Sequence, residues 1–310
     1  MKHARLNQVC DWAVIVFYFP DEDAIKHALW LQKQYQQSNG QLVVVDNTPC
    51  NTKELDIQQH LAQFKHYIAN NDNLGIAKAL NDGIDYALNH GADWCFLFDQ
   101  DSRPDGEFFR HMRAARDHLT RCKKQFAKPV AAIAPVYYDT NLQRSGRIIQ
   151  IQGSQLSRLR APQHMEWASY TITSGSYLCL SHYHDIGAHD ESLFIDFVDI
   201  DWGLRANAKG YQIRVIPAAK LTHSLGIQPV SVFGVNMVNH SATRHYYYFR
   251  NLIHMLKRSY VPRVWKRTEL LKLVPRFIVY SLFTSNKRQH MTAMLQGTWH
   301  GLKNKVGKRD

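Results

Sequence analysis

The sequence predicts an α/β protein built on a mainly parallel sheet. Two observations predict it. Short apolar runs alternate with segments of helical periodicity between residues 12 and 98. Polar clusters, Asp46-Asn47, Asn71 to Gly75 and Asp99 to Ser102, follow the ends of three of those runs. Ligands in parallel α/β folds sit beyond the carboxyl ends of the strands, so these clusters are expected to lie close together.

The elements follow in order. Residues 12–19 (WAVIVFYF) read as a buried strand stopped by Pro20-Asp21. Residues 22–38 read as a helix with Ala24, Ile25, Ala28, Leu29 and Leu31 on its apolar side. Residues 41–45 are a second strand, 54–64 a short helix and 66–69 a third strand. Ile76, Ala77, Leu80, Ile84, Ala87 and Leu88 predict a helix over 76–90. The strand 94–98 then leads into Asp99. Beyond it, a helix is expected over 105–120, a strand over 130–135 and a loop or hairpin over the polar stretch 139–165. A strand over 177–180, a helix over 199–209 and a strand over 212–216 complete the pattern. No GxGxxG and no GxxxxGK[ST] occurs, so neither a dinucleotide fingerprint nor a P-loop is present.

The 310 residues allow one large domain, or one domain with an appendage. Five scattered cysteines without a CxxC pair argue against structural zinc and a disulfide framework, and point to a reducing cytoplasm. The start, Met1 to Asn7, leads into no signal-peptide core. No run reaches the roughly 18 apolar residues of a spanning helix. The net charge of +12 is unevenly placed. From Arg244 onward there are 15 Lys and Arg against 2 Asp and Glu, whereas the preceding 243 residues are nearly neutral. Such asymmetry points to an anionic partner. Residues 264–283 set Leu270, Leu273, Val274, Phe277 and Ile278 against Lys266, Arg267, Lys272 and Arg276. That basic amphipathic pattern, expected to break or kink at Pro275, suits an anionic membrane surface. A helix packed on the main body with a solvated basic face is the alternative. The segment carries no nucleic-acid-binding motif, so no nucleic-acid partner is expected.

Two acidic clusters carry chemistry. In Cys95-Phe96-Leu97-Phe98-Asp99-Gln100-Asp101-Ser102 an apolar strand ends at two carboxylates one residue apart. Residues i and i+2 share a side while the chain is extended, so the pair can converge. Their mutual repulsion is relieved by a divalent cation, and Mg²⁺ is commonly held by one or two carboxylates plus substrate phosphates. A polar turn is the alternative reading. In Phe194-Ile195-Asp196-Phe197-Val198-Asp199-Ile200-Asp201-Trp202 three carboxylates precede or open a helix. They serve either as helix caps or as a general base.

The order of these pieces resembles a known family. Asp46-Asn47 is followed by Asn73-x-Gly75-Ile76-Ala77, Asn81-x-Gly83-Ile84, Asp99-Gln100-Asp101-Ser102 and Ser174-Gly175. Then come Ile186-Gly187, Asp190-Glu191-x-Leu193-Phe194-Ile195-Asp196, Val198-Asp199-x-Asp201-Trp202, Arg205, Lys209-Gly210-Tyr211 and His223-x-x-Gly226. Over residues 10–255 this is similar to family 2 glycosyltransferases of the GT-A fold, and within them to bacterial rhamnosyltransferases that use dTDP-L-rhamnose. The resemblance implies a Rossmann-like, mixed but mainly parallel sheet and an inverting, metal-dependent transfer. It implies that Asp46 reads the base or ribose of the donor, with Asn73 and Gly75 lining the same pocket. It makes Asp99 and Asp101 the DxD pair, with Asp99 also at the donor nucleotide and Asp101 the more direct ligand of Mg²⁺ or Mn²⁺. His223 then helps hold the metal or diphosphate, and Asp199 is the catalytic base. Many members have Glu-Asp where this chain has Val198-Asp199, so the base assignment rests on Asp199, with Asp196 and Asp201 as competitors on the acceptor side. Trp202 and Arg205 are expected to buttress the site. Arg250, with Arg244 and His245, is expected to reach the donor diphosphate or an anionic acceptor.

The expected organisation is a catalytic domain over 1–243, with a nucleotide half at about 10–103 and an acceptor half at about 104–243. A basic, aromatic helical region follows over 244–310. The expected partners are a nucleotide-sugar donor, a glycan or glycolipid acceptor and an anionic membrane surface, at the inner face of a bacterial plasma membrane; an oligomer is compatible. A UDP-sugar hexosyl- or galactofuranosyltransferase, and a non-catalytic nucleotide- or carbohydrate-binding module, are the alternatives.

Overall fold

The computed structural model describes residues 9–37, 40–50, 55–223, 226–232 and 234–309. The expected helix ends at 38 and 54 and the start of the chain at 1–7 lie outside these residues. The first half alternates as the sequence predicts: β1 (Asp11–Phe17), α1 (Glu22–Gln37), β2 (Gln41–Asp46), α2 (Leu55–Leu61), β3 (His66–Ala69), α3 (Ile76–Asn89) and β4 (Trp94–Asp99). Strands β3, β2, β1 and β4 lie side by side and parallel. Every residue of β1 is buried, because helices cover both faces of the sheet. Val14, Val43 and Leu97 join Leu80 and Ile84 of α3 on one face. Ile15, Val44 and Phe96 join Ile25 and Leu31 of α1 on the other. Gly83 lets α3 approach closely, since a Cβ there would stand 2.4 Å from Val14 Cγ1. Beneath the sheet, buried Asp11 receives Arg113 at 2.8 Å, Arg116 at 2.7 Å and the Tyr177 hydroxyl.

The second half extends the same sheet. It comprises β5 (Arg103–Pro104), α4 (Phe108–Arg121), β6 (Val130–Asp139), β7 (Arg144–Ser145), β8 (Arg147–Gln152), β9 (Gln155–Arg160), β10 (Glu166–Ala168) and β11 (Ser176–Cys179). Then come α5 (Leu180–Ile186), α6 (Val198–Ala208) and β12 (Gln212–His223). The polar stretch 139–165 forms the β8–β9 hairpin. Strand β11 is antiparallel to both β4 and β6, so β6 runs parallel to β4; β12 in turn runs parallel to β6. The carboxyl ends of β4, β6 and β12 therefore point the same way. The 130–135 and 212–216 strands both run further than the sequence predicts. Pro217 hides the continuation of β12, because the register shifts between Ile216 and Lys220 and the strand resumes to His223. His223 thereby becomes the register partner of Asp139.

The last part holds β13 (Ile227–Val232), β14 (Val235–Asn239), α7 (Ala242–Lys257), α8 (Arg263–Phe283) and α9 (Lys287–Leu302). The expected boundary at 243/244 falls inside the first turn of α7, whose N-cap is Ser241. Helix α7 is built into the main body: Leu252 and Met255 join the core cluster of α3 and α6, and Tyr246 and Tyr247 pack with Phe194. Helix α8 does not break at Pro275 but runs on to Phe283. The carbonyl that Pro275 cannot serve belongs to Leu271, on the exposed side of the helix, where water can reach it. Leu270, Leu271, Val274, Ile278 and Leu282 of α8 stay exposed, as do Leu295 and Trp299 of α9.

Between α5 and α6 the chain makes a strained turn. Phe194 has φ 65° and ψ −64°, and the Ile195 N–H donates to Leu193 O at 2.7 Å. This is a γ-turn of the rare positive-φ kind. Asp196 (φ 64°) and Phe197 (φ 66°) are also left-handed. Such conformations cost about 1–3 kcal/mol each and persist where surrounding bonds over-determine them. Here α7 supplies the bonds. Fully buried Asn251 places Nδ2 2.8 Å from Leu193 O, 2.7 Å from Ile195 O and 3.1 Å from Asp196 O. Fully buried Arg250 donates to Leu193 O at 2.9 Å and Ser192 O at 3.3 Å. From the other side, the Ile76 N–H donates to Phe194 O at 2.8 Å. An unmet buried carbonyl costs about 1–3 kcal/mol. Asn251→Leu is therefore expected to lower the unfolding free energy by about that amount and to speed amide exchange locally over 193–197. Unchanged exchange there would mean the turn keeps its shape without Asn251.

Candidate active site

The carboxyl ends of β4 and β12 bring three side chains together. Asp99 closes β4, Asp101 follows it, and His223 closes β12. One ligand atom from each lies within 4.8 Å of the others. His223 Nε2 is 3.8 Å from Asp99 Oδ2, and Nδ1 is 3.1 Å from Asp101 Oδ1 without forming an aligned hydrogen bond. Ser174, from the loop before β11, donates its hydroxyl to Asp99. The Asp99 N–H in turn donates to buried Ser102 Oγ at 3.0 Å. Burial raises the Asp99 carboxyl above its ordinary value, opposed by His223 and helped by the charge of Asp101. Burial works against protonation of His223, but Asp101, Asp99 and Asp139 together hold its pKa above the ordinary value. These are the marks of a place that gathers negative charge around a cation. Two carboxylates and one imidazole form a donor set that suits Mn²⁺ or Mg²⁺.

Asp199 stands apart from this cluster but in its field. It lies in the first turn of α6, half-buried, on the wall of a cavity of about 500 Å³. Burial pushes its carboxyl up to about 6, the Ile200 N–H at 2.8 Å opposes the shift, and the charges of Asp99 and Asp196 add to it. A carboxylate poised near neutrality is suited to proton transfer.

The competitors are otherwise engaged. Asp201 is wholly buried and bound by Arg258, by the Tyr260 hydroxyl and by Arg205 at 3.2 Å. It joins α6 to the end of α7. Asp196 pairs with Arg244 at 2.7 Å, and its other oxygen is buried without a hydrogen-bond partner. Trp202 donates to Gly187 O at 3.0 Å, and Arg205 donates to Ala188 O at 2.8 Å, so both brace the back of α6.

In the loop before α3, Asn73 Oδ1 accepts the Gly75 N–H at 3.1 Å. Gly75 has φ 87°, and a Cβ there would stand 2.6 Å from Phe194 O. The glycine is thus required both by its backbone and by the acidic turn beside it. Asp46 ends β2 as expected, but the structure turns its carboxylate inward. It is fully buried, with Tyr67 Oη at 2.6 Å and the Thr48 N–H at 2.8 Å. A group so enclosed supports the loop after β2 and offers no surface to a ligand in this conformation. Arg250 likewise faces away from the cluster, into the backbone carbonyls of the acidic turn, because α7 is packed inside the body. The sequence reading missed Asn251, Ser174 as a partner of Asp99, and Asp139. Only the Ser174-Gly175 pair stood out in the sequence. Asn251 adjoins Arg250 in an aromatic run that gives no sign of facing the acidic turn.

Comparison with known proteins agrees with this geometry. Residues 13–120 match the sequence model of Glycosyl transferase family 2. The dTDP-rhamnosyl transferase RfbF of Shigella flexneri is 30% identical over 302 residues, covering 96% of each chain. Among solved structures, residues 1–349 of S. aureus TarS superpose with a TM-score of 0.53 at 13% identity, covering 96% of this chain and 83% of that one. GalNAc-T7, crystallised with UDP, GalNAc and Mn²⁺, gives a TM-score of 0.52 at 11% identity, over 73% of this chain and 44% of its own. At such identities the structural likeness is one of fold. The full-length relationship to a rhamnosyl transferase is what places this chain in glycosyl transferase family 2, as a glycosyltransferase.

Proposed function

We propose that this glycosyltransferase moves L-rhamnose from dTDP-L-rhamnose, with inversion and with a divalent cation, onto a hydroxyl of a surface polysaccharide or its lipid-linked precursor. The observation that carries the reading is the gathering of Asp99, Asp101 and His223 at two strand ends with a half-buried, proton-ready Asp199 beside them. The rhamnose and dTDP assignments draw on the likeness to RfbF along nearly the whole chain.

The fit of a metal rests on residues present. His223 Nδ1 is a buried ring nitrogen without an aligned hydrogen bond, 3.1 Å from Asp101 Oδ1, while Nε2 lies 3.8 Å from Asp99 Oδ2. A bound divalent ion supplies Lewis-acid stabilisation of the charge that grows on a leaving diphosphate. The chain's own groups do the rest. Ser174 and Ser102 orient Asp99. Asn73 and Gly75 shape the wall of the nucleotide pocket, and Asp46 holds that wall from beneath. Arg244 neutralises Asp196 and leaves Asp199 as the free base. Asp199 takes the proton of the acceptor hydroxyl while the sugar carbon becomes oxocarbenium-like.

The outer face of the C-terminal helices supports a place at a membrane surface. The exposed apolar stripe of α8 and α9 is flanked by exposed Arg267, Lys287 and Arg288. No described helix is long and apolar enough to cross a membrane. An apolar stripe with cations at its edge is suited to lying in an anionic lipid surface at the cytoplasmic side.

Four outcomes are expected. Asp199→Asn lowers kcat by about 10²–10⁴-fold while dTDP binding persists. Because the base must be ionised, the wild-type rate falls as the pH drops below about 6; a variant that keeps full turnover removes Asp199 from the mechanism. In thermal-shift measurements dTDP stabilises the protein with Mn²⁺ and not with a chelator, and Asp101→Ala abolishes the difference. A stronger shift with UDP moves the donor to a UDP-sugar. Finally, the protein co-sediments with phosphatidylglycerol-containing vesicles, and the Leu271→Glu, Val274→Glu double variant loses most of that binding without unfolding. Equal sedimentation of the two proteins assigns the stripe another role.

A further inference from the structure

The cavity beside Asp199 has a second wall of unusual charge. Arg144, Arg147 and Arg160 line it together with Ile149. Arg147 and Arg160 are register partners across the β8–β9 hairpin, and Arg158 is the partner of Ile149. Side chains alternate along a strand, so Arg147, Ile149, Arg158 and Arg160 share one face. Like charges placed directly opposite destabilise a ladder. Among the described residues no carboxylate lies within ion-pair distance of Arg144, Arg147, Arg158 or Arg160. Partial burial and the three neighbouring guanidinium groups hold Arg147 below its ordinary pKa, as expected of cations without a counter-ion. Arg144 is half-buried and Arg147 and Arg160 are exposed at the mouth of the cavity, open to an incoming anion; Arg276 on the same cavity is instead paired with Glu269.

The anion that fits this wall does not belong to the donor. Asp99, Asp101 and His223, where the donor diphosphate is placed, do not line this cavity. Asp199 does, and the base must face the acceptor. We infer that the arginines of the β7–β9 segment, Arg144, Arg147 and Arg160, bind a phosphate or diphosphate carried by the acceptor. The inference rests on the reading of Asp199 as base, and it adds the charge class of the acceptor. Guanidinium groups bind phosphate oxygens through paired, charge-assisted hydrogen bonds, and several facing guanidiniums suit a multivalent anion better than a single carboxylate. The phosphate has two sources: a lipid diphosphate, whose tail would run toward the apolar stripe of α8, or a phosphodiester within a glycan.

The test is direct binding to the whole protein in a chelator, which keeps metal-held nucleotide out of the signal. The probes are inorganic pyrophosphate, farnesyl diphosphate and dimethyl phosphate. The variant is the Arg147→Gln, Arg160→Gln double substitution. It removes a facing like-charge pair, so its melting temperature should be equal to or above that of the wild type. Pyrophosphate affinity should fall about tenfold or more in the variant, while the Mn²⁺-dependent shift with dTDP is unchanged. Farnesyl diphosphate binding more tightly than pyrophosphate assigns the lipid source; dimethyl phosphate competing as well as pyrophosphate assigns the glycan. Equal pyrophosphate affinity in both proteins overturns the inference. So does loss of the dTDP shift in the variant, which would give the arginines to the donor. The assay requires no sugar transfer, so its failure leaves the role of Asp199 standing. Full turnover by Asp199→Asn would instead remove that role without altering the binding result.

Discussion

The interaction on which the site depends is the grip of α7 on the turn that precedes α6. Without it, the positive-φ backbone of Phe194, Asp196 and Phe197 would relax toward ordinary extended or helical geometry. Asp199 comes two residues after Phe197, in the first turn of α6, so its position is set by them. The bonds come from Asn251 and Arg250, whose side chains are fully buried and whose partners are main-chain carbonyls. Carbonyls are acceptors whatever residue carries them, so the grip fixes the path of the chain and not the identity of its side chains. Gly75 completes the arrangement from the nucleotide side, because only a residue without a Cβ fits against Phe194. The turn is thus held between the loop that lines the proposed nucleotide pocket and the last third of the sequence. A substitution in α7, more than fifty residues from Asp199, acts on the same geometry as one in the turn itself.

That grip changes the meaning of the basic tail. Its excess of cations suggests a loosely attached region facing an anionic partner. The structure divides those cations into two groups. Arg244, Arg250 and Arg258 point inward, to Asp196, to backbone carbonyls, and to Asp190 and Asp201. They are structural charges whose partners lie in the nearly neutral part of the chain. Arg267, Lys287, Arg288, Lys303 and Lys305 remain exposed. Net charge summed over a segment cannot separate the two kinds, since both are written with the same letters. Only burial does so, and burial here is decided by contacts between α7 and residues 192–201, far away in sequence.

Much of the fold was legible because local patterns and global topology agreed. The buried strands β1, β2 and β4 are continuous apolar runs, α3 has clear helical spacing, and the polar clusters fall at strand ends. The proximity of Asp99, Asp101 and His223 was legible for the same reason: the strands that carry them stop there. Legibility failed where long-range contacts overrode local signals. Pro217 disguised the continuation of β12, although a register shift accommodates it. Pro275 suggested a break in α8, yet the carbonyl it leaves unserved lies on an exposed face. Asp46 reads as a ligand contact at the end of a strand, but Tyr67 and Thr48 draw it inward. Arg250 looked like an anion-binding cation because its surroundings in sequence are basic and aromatic, and nothing local announces the carbonyls of Ser192 and Leu193.

The distribution of charge around Asp199 follows from the same packing. Asp99, Asp101 and His223 occupy one side, where parallel strands end. The arginines of the β7–β9 segment occupy the other, where a hairpin inserted between β6 and β10 folds over the sheet. Asp199 lies between a concentration of negative charge and one of positive charge, and the first of these raises its pKa. A cation held by the acidic cluster would reduce that influence, and an anion held by the arginines would restore part of it. The proton affinity of Asp199 is therefore coupled to charge on both sides. A cation at the acidic cluster alone would leave Asp199 more readily ionised, and an anion at the arginines would make it a stronger proton acceptor. Such coupling needs no movement of the backbone: fixed charges and the rigid turn that holds Asp199 between them are sufficient.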